Sequence, residues 1–257
     1  MSYISNKDYK YRVALGEVSG ASTVNKFGYN EDVDVASGEE LIAGFGGTFD
    51  PLTDIITTAQ TFTIAYDTAS DGLGQTGALS LLISYLDASY AYATAIHTLS
   101  NTGSDVTAFT GFGINRVVVL SNGGDGWNGA DITITATTDT TTQALVPALQ
   151  GVTQQLLYHT AQGHQLNLDW LELNALKLTG AGGSPRITFR AYSWSRVTLT
   201  RYNVFQYRMD TSVENHLELN PSQPFPVGGR EVFYITAETD TNNTAVNARF
   251  SGIDETL

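Results

Sequence analysis

The chain has 257 residues, 42% of them hydrophobic and 15% charged, which is enough for one large β domain or two small ones and excludes a disordered chain on composition. Its 26 acidic against 13 basic residues leave a formal charge of −13, which repels phosphate backbones and argues against general nucleic-acid binding. There is no cysteine, so disulfide scaffolds, thiolate metal sites and cysteine nucleophiles are excluded together.

The start, MSYISNKDYKYRV, is polar and carries no Sec-type signal, and the longest apolar runs, such as Ala78 to Leu86, fall far below a membrane span. A soluble protein with no membrane partner is expected. Residues 1–47 read as an extended arm: they are rich in Gly, Ser, Asn and Asp and show no sustained period, as partner-bound segments do. Within them VNKFGYNEDVD sets Lys26, Phe27 and Tyr29 beside Asn30, Glu31, Asp32 and Asp34.

From Thr48 the period becomes two. Phe62, Ile64 and Tyr66 share one face, Leu79, Leu81, Ile83 and Tyr85 another, and Ile132, Ile134 and Ala136 a third. Turn-rich pieces separate these runs, so residues 48–143 are predicted to form a first antiparallel β-sandwich. A threonine-rich crossing, Ala136 to Gly151, marks the boundary, and residues 144–257 are predicted as a second sandwich. In HQLNLDWLELNALKLTG the apolar phase slips between Trp170 and Leu171, which fits a bulged strand, two strands, or a helix. LNPSQPFPVGG, with three prolines, reads as a crossing loop of the kind jelly-roll connectivity needs. The expected fold class is therefore all-β: an N-terminal arm followed by two jelly-roll-like sandwiches.

Candidate chemistry is sparse. His159 and His164 lie five apart and meet only if the chain turns at Gly163; polar or interfacial roles outweigh a metal site. SNGGDGWNGAD gathers Asp125, Asn128 and Asp131, oxygen ligands of the kind calcium takes, but in ordinary turn chemistry and without EF-hand spacing. Trp127 at its tip is a candidate exposed contact. GLGQTG lacks the lysine of a phosphate loop, and neither G-x-S-x-G nor H-E-x-x-H occurs. No enzyme activity, cofactor or metal is expected. RVTLTRYNVFQYR interleaves Arg196, Arg201 and Arg208 with aromatics, which suits a protein interface, with an acidic NEDVD segment of a neighbouring copy as its partner.

Several blocks together resemble a family of β-rich virion proteins of tailed bacteriophages. NKFGYNEDVD is similar to the family's near-N-terminal N-K-F-G-x-N-x-D-x-D element, and GFGGTF to the glycine-rich join after it. GQTGALSLLISYLDASY, INRVVVLSNGGDGWNGADITI and the terminal ITAETDTNNTAVNARFSGIDE resemble its later patterns, which are hairpin grammar shared by many proteins. QGHQLNLDWLELNALK matches least. The resemblance implies a particle component assembled in the host cytoplasm. We expect a capsid decoration (cement) or head-fibre protein, a homo-oligomer such as a trimer, bound to the major capsid protein and other virion proteins. Lys26, Phe27, Tyr29, Asp32, Asp34, Arg196, Arg201 and Arg208 are the expected assembly contacts. The rival is a tail-associated carbohydrate-binding attachment protein using Trp127, Trp170 and Trp194, and a weaker one is a tail tube or adaptor protein.

Overall fold

The computed structural model describes residues 6–178 and 183–257. It is all-β apart from short helical pieces. A nine-residue helix, α1 (Asn6–Ala14), leads into a long strand, β1 (Ala21–Val33), and a two-residue strand, β2 (Glu40–Leu41). The middle of the chain forms β3 (Phe62–Ala65), β4 (Ala78–Asp87), β5 (Tyr92–Thr98), β6 (Ser104–Val106), β7 (Gly111–Asn122), β8 (Ile132–Ala136) and β9 (Thr142–Val146). The rest forms β10 (Leu157–His159), β11 (His164–Lys177), β12 (Arg186–Ser195), β13 (Thr200–Asp210), β14 (His216–Leu219), β15 (Phe225–Val227), β16 (Glu231–Thr239) and β17 (Thr244–Thr256).

Antiparallel pairing joins these strands into four sheets among the described residues. The middle of the chain supplies β6-β3-β8-β9 and β5-β4-β7, which bury Phe62, Ile64, Leu81, Ile83, Ile114, Val117, Ile132 and Ile134 in one core. Here the period of two reports burial faithfully, because one face meets the core and the other water. Leu79 departs from its expected face, since β4 and β7 shift register between Ser80 and Leu81.

The remaining sheets are β1-β17-β11-β14, with β15 also on β11, and β10-β16-β12-β13, with β2 on β16. They enclose a second core that includes Phe189, Phe233, Ile235 and Phe250. A third buried cluster joins Leu41, Phe45, Phe49 and Ile55 to Leu157, Trp194, Val232 and Tyr234.

Two expectations are corrected. The described part of segment 1–47 is not a free arm: β1 pairs with β17 over most of its length, and β2 with β16, while residues 1–5 of that expectation lie outside the described residues. Its period is hidden because the inward positions of β1 are Val24, Lys26, Gly28 and Asn30, only one of which is apolar. Nor does the fold divide into an arm and two successive sandwiches. The expected boundary at 143/144 falls inside β9, and residues 41–55 pack with the C-terminal sheets. In β11 the bulged-strand alternative holds, with the register shift between Leu168 and Trp170. The proline-rich crossing contains β15, a short strand on β11 with Pro226 opposite Asn167.

Candidate functional site

The sheet that begins at β1 presents a polar–aromatic outer face. Register places Phe27 beside Arg249, Glu172 and Glu218 in one row, and Tyr29 beside Asn247, Asn174 and His216 in the next. The Arg249 guanidinium stands 5.3 Å from the Phe27 ring centre and 4.0 Å from Glu172 Oε2. Asn174 Nδ2 donates to Glu172 Oε1 at 2.9 Å and to Asn247 Oδ1 at 3.0 Å, and His216 Nδ1 lies 2.7 Å from Asn174 Oδ1. The bulge in β11 brings Asp169 and Trp170 onto this face together. Asp169 pairs with Lys10 of α1 at 2.9 Å and accepts from Ser251, while Trp170 Nε1 donates to Glu218 Oε1 at 2.8 Å. That N–H holds the Glu218 carboxyl below its ordinary range. Grooves flank Trp170 on both sides, one toward Phe27 and Arg249, the other toward Asn167, Asp169, Asn220 and Ser222.

A second concentration of polar groups lies in the seam between the middle sheets and the C-terminal ones. Lys26 is half-buried, and its ammonium donates to Asn115 O. Burial, then the charge of Arg116, draws its pKa down to about 7. Deeper in, Arg196 donates to the carbonyls of Ile56 and Phe112, and its Nη2 lies 2.8 Å from His159 Nδ1. Burial lowers the Arg196 guanidinium to about 9 and holds His159 far below the usual histidine range, aided by Arg196 and Lys26. Arg230 stacks on Tyr90 at 3.9 Å, and Tyr90 stacks on Phe112 at 4.1 Å. Further along the seam, buried Asp254 accepts from Tyr92 at 2.5 Å and from Tyr158 at 3.2 Å, and lies 2.6 Å from His164 Nδ1. Burial first, and then the neighbouring charges, push both tyrosine hydroxyls well above their ordinary pKa.

The expected contact residues therefore separate. Phe27 and Tyr29 join the outer face, whereas Lys26 turns into the seam. Asp32 is exposed, and Asp34 Oδ1 accepts from the backbone of Asn243 at 3.4 Å. Arg196 is 7% exposed and is no surface contact, because its guanidinium serves buried carbonyls. Arg201 lies over Tyr192 at 4.2 Å and near Glu39 at 3.9 Å, while Arg208 is exposed. The acids that meet the arginine-bearing strands thus belong to the same chain: Glu39 and Glu238 pair with Arg190 at 3.4 and 2.7 Å, and Asp210 with Arg186 at 3.1 Å. Trp127 is 48% exposed, but Trp194 is 5% exposed and lies in a buried cluster.

The glycine-rich loop uses its side chains as struts. Asn128 donates to the carbonyls of Ala130 and Pro147 and accepts from Gly151 N–H, while Asp131 accepts from Ala148 N–H. Buried Asp71 accepts from the N–H groups of Ala78, Gly129 and Ala130. Among the described residues no three His, Asp or Glu side chains gather as a metal site. Gly163 does turn the chain, at φ +74°, yet it sends His159 to Arg196 and His164 to Asp254. Sequence reasoning missed Arg249, Glu172, Asn174 and Asp254. The first three alternate with apolar residues along predicted strands, so their shared face could have been read once the register was known; Asp254 gave no local signal.

No protein-family model matches the chain, and none of the curated proteins does. Among solved structures, a chain of infectious bursal disease virus, Gx strain, is similar at 9% identity and a TM-score of 0.21, over 93% of this chain and 77% of that one. A chain of the infectious bursal disease virus VP2 subviral particle gives 10% identity and a TM-score of 0.19, over 92% and 76%. Likeness at that level identifies no shared fold.

Proposed function

We propose that the chain is a non-enzymatic structural component of a tailed-phage virion, docked on the outside of the capsid as a decoration protein. One observation carries the reading. NKFGYNEDVD, on which the resemblance to virion proteins rests, lies in β1 up to Val33 and delivers Phe27 and Tyr29 to the outer face beside Trp170 and Arg249. Interfaces are enriched in such aromatic and arginine side chains, and half-buried rings in a fixed frame lose little entropy on docking. The partner in this reading is the major capsid protein, and the face bridges neighbouring shell subunits. Symmetric copies, as in a trimer, add avidity.

The test is binding to purified, expanded capsids that lack the protein. Saturable attachment in high copy is expected, weakened at least about tenfold by Trp170→Ala combined with Phe27→Ala, about 1.4 kcal/mol or more. Wild-type protein that fails to attach overturns the reading.

A second reading, a tail-associated carbohydrate binder, draws on one specific feature. Trp170 borders a groove that also holds Asn167, Asp169, Asn220 and Ser222, a ring beside amides and hydroxyls that can pair with sugar hydroxyls. Since Trp194 is buried, that reading rests on Trp170 and on the exposed Trp127. Copy number separates the two: hundreds per particle for decoration, few for a tail.

A further inference from the structure

We propose that the groove between β1 and the β5-β4-β7 sheet receives an extended acidic peptide segment of a partner protein, which adds as a strand to the free edge of β1 at Ser22–Lys26. This does not depend on the virion reading.

β1 is the outer strand of its sheet and pairs on one side only, with β17. Beyond Lys26 the inward face of β1 is crowded: a Cβ on Gly28 would lie 2.3 Å from Ile42 O and 2.7 Å from Leu156 Cγ, so the open groove does not continue past that point. Over Ser22–Lys26 no backbone group outside β17 pairs with β1 among the described residues. At about 3.3 Å per residue this leaves roughly 16 Å of open edge, room for about five residues of an added strand.

That edge forms one wall of a groove of about 580 Å³. The outer side of the middle sheet forms another, where Thr94, Ser84 and Arg116 lie side by side across β5, β4 and β7. Unpaired edge strands are ordinarily blunted by charges that point out into water. Here Lys26 instead turns its ammonium into the seam.

Charge selects the occupant. The chain carries 26 acidic residues against 13 basic ones, yet the charged side chains that line this groove are Lys26 and Arg116. Neither pairs with a carboxylate among the described residues, and Lys26 has a single carbonyl as its acceptor. A partly buried cation without a counter-charge is costly, and an incoming carboxylate relieves that cost. Side chains of an added strand alternate, so acids at every second position face the two cations while the backbone pairs with β1. A sulfated or carboxylated glycan could satisfy the charges but not the row of backbone groups, which favours the peptide.

The experiment selects a random octapeptide display library on the full-length protein. Enrichment of Asp or Glu at alternating positions is expected. A selected synthetic peptide should slow amide exchange at Ser22–Lys26, and its affinity should fall at least about tenfold in Arg116→Gln and further in Lys26→Met/Arg116→Gln. Arg116 is exposed on a sheet face, so its single variant keeps the test sound if the double variant is unstable. Three results overturn the proposal: no acidic enrichment, unchanged affinity in Arg116→Gln, or protection at amides elsewhere. Displacement of the peptide by inorganic sulfate alone, with no amide protected, marks a simple anion site and overturns it as well.

Discussion

Lys26 makes the stability of this protein depend on pH in a direction unusual for an acidic chain. In the folded state its ammonium titrates near 7, against an ordinary value of 10.5 when unfolded. Between those values the unfolded chain binds more protons, so this residue makes stability rise with pH from about 7 to about 10. Tyr92 and Tyr158 act oppositely: their folded pKa values are raised, so above about pH 10 the unfolded chain loses protons first and stability falls. Urea unfolding of Lys26→Met should lack the rise above pH 7 and keep the fall above pH 10. Asp71 offers a test away from the seam. It accepts from three backbone N–H groups that close the Gly72 and Gly129 loops, so Asp71→Ala should cost about 3 kcal/mol in the same assay, with Asp71→Asn milder.

At the scale of elements, β1 is the strand whose position matters most. It supplies Val24 and Val33 to the second core and meets Ile42 and Leu156 across Gly28. A chain lacking residues 1–33 should therefore lose cooperative unfolding as read by near-UV circular dichroism; native-like folding of that chain would mean that β1 is an accessory. Gly28→Ala should destabilise by about 2 kcal/mol or more, because the new methyl meets backbone and not a flexible side chain. In β11, the bulge at Leu168–Trp170 re-aims one ring. Without it, Trp170 and Asp169 would stand on opposite faces, and the outer face would lose its largest aromatic.

At the scale of the molecule, the seam joins residues far apart in sequence. Asn115 of β7 donates to His159 O at 3.0 Å and accepts from His159 N–H at 2.7 Å, and Tyr92 of β5 reaches Asp254 of β17. These bonds couple the middle sheets to the C-terminal sheets. Asp254→Asn should cost about 2–4 kcal/mol, since its two tyrosines and His164 lose a charged acceptor in a buried place. Thermal unfolding followed by two probes should then split, tryptophan emission from the C-terminal sheets preceding loss of the middle sheets. Wild-type transitions should coincide.

Much of this was legible in the chain. Strict alternation in Phe62–Tyr66 and Ile132–Ala136 specified strands because each buries one face, and the slip at Trp170–Leu171 marked the bulge. Composition alone specified an acidic, cysteine-free β protein. Phe27 and Tyr29 stood out as aromatics without an evident core, and they do lie on an outer face. What the sequence withheld were relations between distant residues. β1 escaped detection because its inward side chains meet a polar seam, so Lys, Gly and Asn replace the apolar half of the period. Arg196 looked like surface charge because its partners are carbonyls and a histidine brought from three other segments. The Asp254–His164 pair, the Arg249–Phe27 stack and the open edge at Ser22–Lys26 exist only through register, which the tertiary structure sets and local periodicity cannot encode.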